Sequence, residues 1–352
     1  MDDPQRDSGG LPCVDYRTVI RKLVEDGSDL DRTETGRVVD AILDQRFTDL
    51  ETAATLAALG CKGETADEIA GTVDAILRRN IPMQTGYPDA IDIGGTGGDR
   101  AGTFNISTVA AFIGAGAGVS VVKHGNRGVT SACGSADMIA ALGVNIERSS
   151  TPDQVRSDLA ACHFAFVATS CHHRFPPRIG EIRRALGVRS IFNLAGPLVH
   201  PAAVRRQIVG VARRAHLPLL ADALVKIGRE EAFVVHGVDG LDEVSCVGET
   251  LIARVRHGAV DMFSLSPRDF GVAPCLLAEL AGGDPQRNAD ICVALLDGER
   301  GPRRDAAVVA ASTLLVLSGK AETFLDGAAM ACNAIDSGNA RQVLKKFLGE
   351  AQ

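Results

Sequence analysis

Three segments of the chain carry residue types that could handle phosphate. The first is Asp92-Ile-Gly-Gly-Thr-Gly-Gly-Asp99, followed by Thr103-Phe-Asn-Ile-Ser-Thr108. Glycines at 94, 95, 97 and 98 let the main chain approach an anion closely and adopt positive φ. A helix starting near Ile106 would present the hydroxyls of Ser107 and Thr108 beside free N–H groups, which is phosphate-binding chemistry. A plain glycine turn with a capped helix explains the glycines alone. It does not explain the T-x-N-x-S-T that follows them.

The second segment is Val121-Val-Lys-His-Gly-Asn-Arg127, with Thr130, Ser131 and Gly134-Ser-Ala-Asp137 behind it. An apolar strand ends in Lys123 and Arg127, which can neutralise phosphate, and Ser131 and Ser135 can donate to phosphate oxygens. A solvated basic turn would not gather small hydroxyl residues and glycines in one place. The third segment, Val234-Val-His-Gly-Val-Asp-Gly-Leu-Asp242-Glu243, ends a strand in adjacent carboxylates. Hard oxygen ligands on a loop suit Mg²⁺ shared with substrate phosphates. Adjacent acids are commonly just solvated, so this segment gains weight only beside the other two.

Other chemistry lacks its signature. There is no GxxxxGK[ST], no GxGxxG after a strand, and no zinc spacing of His and Cys. His172 and His173 are adjacent, and neighbours on an extended chain point apart, which argues against a metal pair.

The elements that must position these segments follow from hydrophobic periodicity. From Tyr16 to about Arg79 apolar residues recur at helix spacing, with Thr33-Glu34 read as a helix start and helices over 50–59 and 66–77. Beyond Ile81–Pro88, strands are expected at 90–93, 119–122, 164–168, 207–211, 232–235 and 251–255, separated by helices. That alternation predicts an α/β fold with a mostly parallel central sheet, whose strand ends are where ligands sit. Residues 178–204 interrupt the pattern, and the chain from about Asp290 reads as helical.

Bulk properties narrow the field. A net charge of -7, 4% aromatics and no Trp argue against nucleic acid as a partner. No apolar run reaches membrane-spanning length. Nine cysteines without a C-x-x-C pair and a polar N-terminus point to free thiols in a reducing cytoplasm.

The chain resembles the anthranilate phosphoribosyltransferase family of tryptophan biosynthesis over roughly residues 16–350. The resemblance rests on Lys62-Gly-Glu-Thr65 with Glu68-Ile-Ala-Gly71, the GTGGD and NIST segments, KHGNR with GSAD, and Ile191-Phe-Asn-Leu-Ala-Gly-Pro-Leu198. It implies a nucleoside phosphorylase/phosphoribosyltransferase-like fold. A small helical domain (1–88 joined by about 178–204) would accompany a large α/β domain (89–352), dimerising through helices. It implies that 5-phosphoribosyl pyrophosphate (PRPP) is held by Gly95, Gly98, Asp99, Thr103, Asn105, Ile106, Ser107, Thr108, Lys123, His124, Gly125, Asn126, Arg127, Gly128, Val129, Thr130, Ser131 and Ser135. Ser107, Asp242 and Glu243 would engage Mg²⁺. Gly95, Asn126 and Arg183 would contact anthranilate, and Lys123, Asn126 and Arg183 would carry the catalysis. An arginine fork facing a benzoate carboxylate is physically apt.

Two departures bear on that resemblance. The family reads F-A-P-x-x-H-P-A-M where this chain reads Phe166-Val-Ala-Thr-Ser-Cys-His-His-Arg-Phe-Pro-Pro-Arg178, two residues longer, beside the acceptor. Arg100 follows GTGGD where Gly is usual. The expected reaction transfers the phosphoribosyl group of PRPP to anthranilate. Two alternatives are a paralogue using another aromatic acceptor and a non-catalytic regulatory paralogue. The intact Lys123, Asn126, Asp242 and Glu243 weigh against the latter.

Overall fold

The computed structural model describes residues 14–128, 132–173 and 175–350. The described residues form two units, one comprising 14–80 with 175–199, the other 81–128 and 132–173 with 200–350. The sequence predicts the helical unit at 1–88 joined by about 178–204; here its first segment ends eight residues earlier. Residues 81–88 go with the second unit because Met83 N–H donates to the Pro201 carbonyl at 3.1 Å. Met83 also packs, buried, with Val122, Val155 and Ala165.

The first unit is helical throughout: Tyr16–Val24, Arg32–Leu43, Asp49–Lys62, Ala66–Leu77, Pro177–Leu186 and Ile191–Ala195. Its helix starts are written in the sequence as capping boxes, Asp31 with Glu34, Thr48 with Glu51 and Thr65 with Glu68. Each such cap contributes about 1 kcal/mol. The start expected at Thr33 is therefore corrected to Asp31, whose carboxylate accepts the Glu34 N–H at 2.8 Å. The K-G-E-T and E-I-A-G markers serve packing here. Glu68, fully buried, accepts the Leu30 and Thr65 N–H groups and the Lys62 ammonium. A side chain at Gly71 would strike the Arg32 carbonyl, so glycine lets two helices touch.

The second unit carries a seven-stranded sheet in the order β3-β2-β1-β4-β5-β6-β7. The strands are β1 Ile91–Gly95, β2 Val121–Gly125, β3 Phe164–Ala168, β4 Arg206–Gly210, β5 Glu231–Gly237, β6 Thr250–Arg256 and β7 Ala259–Leu265. β1 to β5 are parallel; β6 and β7 are antiparallel. β7 has no counterpart among the expected strands. The hairpin before it turns on His257 and Gly258, both at positive φ, as a tight two-residue turn requires. The apolar helix Ile106–Gly116 is buried almost along its length beside Pro302–Leu317, and Phe112 meets the Phe164 ring at 4.2 Å.

Strand order reverses between β1 and β4, the position where open α/β sheets place ligands. β1 pairs with β4 along five residues but with β2 only at Ile91↔Val121. β1 and β2 therefore splay toward their carboxyl ends, where the GTGG and KHGN segments leave the sheet.

Candidate active site

The GTGG turn and the acidic loop are built into one another. Gly95 and Gly210 are register partners at the ends of β1 and β4, and Thr96 N–H donates to the Gly210 carbonyl at 2.9 Å. A side chain at either glycine would collide with Asp242. Gly97 and Gly98 take φ of 67° and 78°, and Gly97 N–H donates to Asp242 Oδ2 at 2.6 Å. Burial pushes the Asp242 carboxyl well up, and the neighbouring Asp99 and Glu243 charges add to it.

Glu243 faces the helix that starts at Ile106. Its Oε1 accepts the Ser107 N–H at 3.2 Å, a favourable place for a carboxylate. Burial raises the Glu243 carboxyl to about 7 against the opposing pull of Lys123. Lys123 is only 2% exposed; its ammonium donates to the Ile93 carbonyl at 2.6 Å and to Ser107 Oγ at 3.2 Å. Burial lowers its pKa, opposed by Asp92, Glu243 and Asp242. Two buried carboxyls whose burial disfavours ionisation, beside one ammonium, are a setting in which a divalent cation would favour the ionised form. Among the described residues no three His, Cys, Asp or Glu side chains form a ready metal cage. Mg²⁺ commonly takes one or two carboxylates and completes its shell with water and phosphate.

Thr103 bridges Ala281, and Phe104 N–H donates to the Leu280 carbonyl at 3.0 Å. Asn105 Oδ1 accepts Asn288 Nδ2 at 2.9 Å. Thr108 Oγ1 is fully enclosed with no hydrogen-bond partner among the described residues.

On the other side of the splay, Asp137 organises the turn after β2. Its carboxylate accepts the Gly128 N–H at 2.7 Å and the Gly134 N–H at 3.0 Å, and it pairs with Arg127 at 3.4 Å. Asn126, Arg127 and Gly128 are exposed. Gly125 leaves room for Ser135 and Phe166, which a side chain there would strike. The expected Val129, Thr130 and Ser131 lie outside the described residues.

His124 differs from an anion ligand. Its ring is buried against His173 and His200, and Thr169 Oγ1, which donates to the Gly125 carbonyl at 2.9 Å, stands 3.1 Å from His124 Nε2. Burial, then His200 and His173, hold its pKa well below the usual imidazole range, so the ring is neutral. The segment 169–172 is a helical turn rather than the extended chain expected, yet the adjacent histidines still diverge. His172 Nε2 donates to the Ser150 carbonyl at 2.8 Å, and His173 Nε2 meets His124 Nε2 at 3.3 Å.

Arg183 belongs to the helical unit. Its guanidinium lies 5.5 Å over the Phe192 ring and donates to Asn193 Oδ1 at 3.3 Å. Burial lowers its pKa, and no carboxylate among the described residues pairs with it.

A glycosyl transferase family helical bundle domain matches residues 17–79, and a glycosyl transferase family a/b domain matches residues 87–341. Anthranilate phosphoribosyltransferase of Anaeromyxobacter dehalogenans (strain 2CP-C) is 45% identical over 94% of this chain and 96% of its own. That of Rhodopseudomonas palustris (strain TIE-1) is 42% identical over 95% and 98%. This chain belongs to the anthranilate phosphoribosyltransferase family. Solved structures agree with that membership. The enzyme of Thermus thermophilus superposes with a TM-score of 0.86 at 34% identity, over 94% of this chain and 98% of that one. The Saccharomyces cerevisiae enzyme in complex with PRPP and Mg gives 0.87 at 29%, over 95% and 97%; the same enzyme is also known with 4-fluoroanthranilate.

Gly95, Gly98, Asp99, Ser107, Lys123, Asp242 and Glu243 thus stand in one α/β unit of a family enzyme. Sequence reasoning passed over Thr96, Asp92, Gln207 and Gly210. Thr96 Oγ1 is enclosed within the glycine turn, with no partner among the described residues. Gly210 had a legible signal, a glycine ending a strand beside an acidic loop. Asp92 and Gln207 had none, because their roles depend on strand register.

Proposed function

We propose that this chain transfers the phosphoribosyl group of PRPP to the amine of anthranilate, releasing pyrophosphate and N-(5-phosphoribosyl)anthranilate for tryptophan biosynthesis. The observation that carries the reading is the joining of the GTGG turn, the Ile106 helix start and the Asp242–Glu243 loop beyond the carboxyl ends of the central strands, in a chain of this family. Glycine N–H groups, the helix start and the Asn126–Ser135 turn would hold the phosphates. Ser107, Asp242 and Glu243 would hold Mg²⁺, which when bound offsets charge on the pyrophosphate leaving group. Lys123 moderates the acidic pair and ties β2 to β1. Anthranilate's aromatic amine is neutral at pH 7 and needs no strong base, so positioning supplies much of the rate. Asn126 would lie near that amine and Arg183 would meet the carboxylate. An arginine without an acidic partner among the described residues is suited to that role.

The test is direct. With PRPP, Mg²⁺ and purified protein, anthranilate fluorescence should fall as PRPP is consumed. Protein that binds PRPP yet leaves anthranilate untouched would redirect the reading to another aromatic amine.

The family habit and the amphipathic N-terminal helices support a homodimer through the helical unit. Light scattering at micromolar concentration should give twice the chain mass; a monomer would end that reading. None of the eight described cysteines is in a disulfide and no described helix is long and apolar enough to cross a membrane. Free thiols support a cytoplasmic setting, where fractionation should find the protein.

A further inference from the structure

A parallel ladder continuing past Ile91↔Val121 would join Ile93 N–H to the Val122 carbonyl and His124 N–H to the Ile93 carbonyl. The ladder stops, and side chains take up three of those groups. Asp92 Oδ1 accepts the His124 N–H at 2.9 Å. Lys123 Nζ donates to the Ile93 carbonyl at 2.6 Å, and His200 Nε2 donates to the Val122 carbonyl at 2.9 Å. Buried main-chain groups need such partners, and three of the four have one across the splay between β1 and β2.

Asp92 is itself held from behind. Gln207, its register partner on β4, donates from Nε2 to Asp92 Oδ2 at 2.9 Å. Gln207 Oε1 accepts Arg229 Nε at 3.1 Å, and Arg229 Nη1 donates to the Val204 carbonyl. Gln207 is fully buried and Asp92 is 2% exposed. Burial pulls the Arg229 pKa down to about 10, with Asp92 opposing the shift. The chain of bonds runs one way: guanidinium to amide oxygen, amide nitrogen to carboxylate, main-chain N–H to the same carboxylate.

We infer that Asp92 is a positioning residue for the carboxyl end of β2 and the Asn126 that follows it: oriented by Gln207 and Arg229, its carboxylate fixes the His124 main chain and keeps β1 and β2 apart. Asp92 acts through that segment and touches no substrate. The inference rests on the proposed transfer reaction for its kinetic arm alone.

The direction of the chain supplies the test. Asp92→Asn keeps an acceptor for His124 but sets its NH₂ against the NH₂ of Gln207. Rotating Gln207 only moves that conflict to Arg229. Adding Gln207→Glu resolves it, because the carboxylate at 207 accepts from both neighbours and net charge returns to that of the wild type. Hydrogen exchange of the peptide covering 121–128 is measured in the full chain, with steady-state kinetics well below the unfolding temperature. In Asp92→Asn, exchange of that peptide should quicken about tenfold and kcat/KM for PRPP should fall about tenfold or more. In the double variant both should return to within about threefold of wild type. A residue that only stabilises the fold would shift the melting temperature and leave the local exchange pattern and kcat/KM alone.

Wild-type exchange and turnover in Asp92→Asn would overturn the inference. So would a folded double variant no better than the single one. Where Asp92→Asn does not fold, the double variant must fold and turn over, and its failure overturns the inference equally. A wild-type protein without transfer activity would defeat the functional reading, while the exchange measurements would still decide this one.

Discussion

The main-chain N–H of Gly97 donates to Asp242 Oδ2 at 2.6 Å, so the glycine turn and the acidic loop are one construction although 145 residues separate them. Replacing Asp242 and Glu243 together by Asn and Gln should therefore lower Mg²⁺-dependent turnover at least about a hundredfold, while the amide at 242 still offers an oxygen to Gly97. Circular dichroism should show the fold retained. Wild-type rates in the double variant would remove the metal assignment.

Arg100 adopts a φ of 59°, in the left-handed region, at the position where the family usually has glycine. A non-glycine residue there stores about 1 kcal/mol of strain or more. Arg100→Gly should raise the urea midpoint without changing the slope of the transition. If the exposed cation draws PRPP toward the turn, KM for PRPP should rise in the variant at low salt and converge with wild type at high salt. A KM unchanged at every salt concentration would leave Arg100 a solvated side chain carrying strain with no role at the site.

How much of this was legible depended on the range over which each residue acts. The GTGG turn could be read from its glycines, and the helix at Ile106 from the apolar run behind it. The helix start at Asp31 could have been read from the Asp31–Glu34 spacing, but Thr33 beside Glu34 drew attention to the wrong pair. β7 is an edge strand, mostly exposed, so it carries little hydrophobic signal; only the His257-Gly258 turn betrays it. Asp92 is a buried acid inside a strand pattern, which sequence reasoning has no local rule to interpret. Its partner Gln207 lies 115 positions away and becomes its neighbour only through the β1–β4 register. Lys123 was read as a free cation for phosphate, because a strand-end lysine normally reaches solvent; the splay of β1 and β2 instead gives it the Ile93 carbonyl.

Asp158 sets a pH dependence away from the site. It is buried in the helix Pro152–Cys162, where burial raises its carboxyl from 3.8 to about 6 against a hydrogen bond from Gln154. The folded state then binds more protons than the unfolded state between those values, so stability from this group falls as pH rises through that window. Asp158→Asn should lose that slope and be the more stable protein above about pH 6. Equal melting temperatures of the two proteins at pH 5 and pH 8 would contradict the shift.

The proposed contact of Arg183 with the acceptor carries its own test. Arg183 is half-buried, with an aromatic face and an amide oxygen beside it and no carboxylate pairing with it among the described residues, and burial already lowers its pKa. An incoming benzoate carboxylate would supply the missing counter-charge through two parallel hydrogen bonds. Such a charge-assisted pair is worth about 1.5–3 kcal/mol, or roughly ten- to a hundredfold in binding. Arg183→Ala should therefore raise KM for anthranilate by that factor and leave KM for PRPP within about twofold. Arg183→Lys should recover only part of the loss, because an ammonium cannot offer the planar fork. The departure from the family pattern after Phe166 separates two outcomes. If the acceptor is anthranilate, aniline, which lacks the carboxylate, should be a poor substrate for the wild type, and Arg183→Ala should narrow the preference. If Arg183→Ala affects anthranilate and PRPP alike, the arginine supports the fold of the helical unit and the carboxylate is recognised elsewhere.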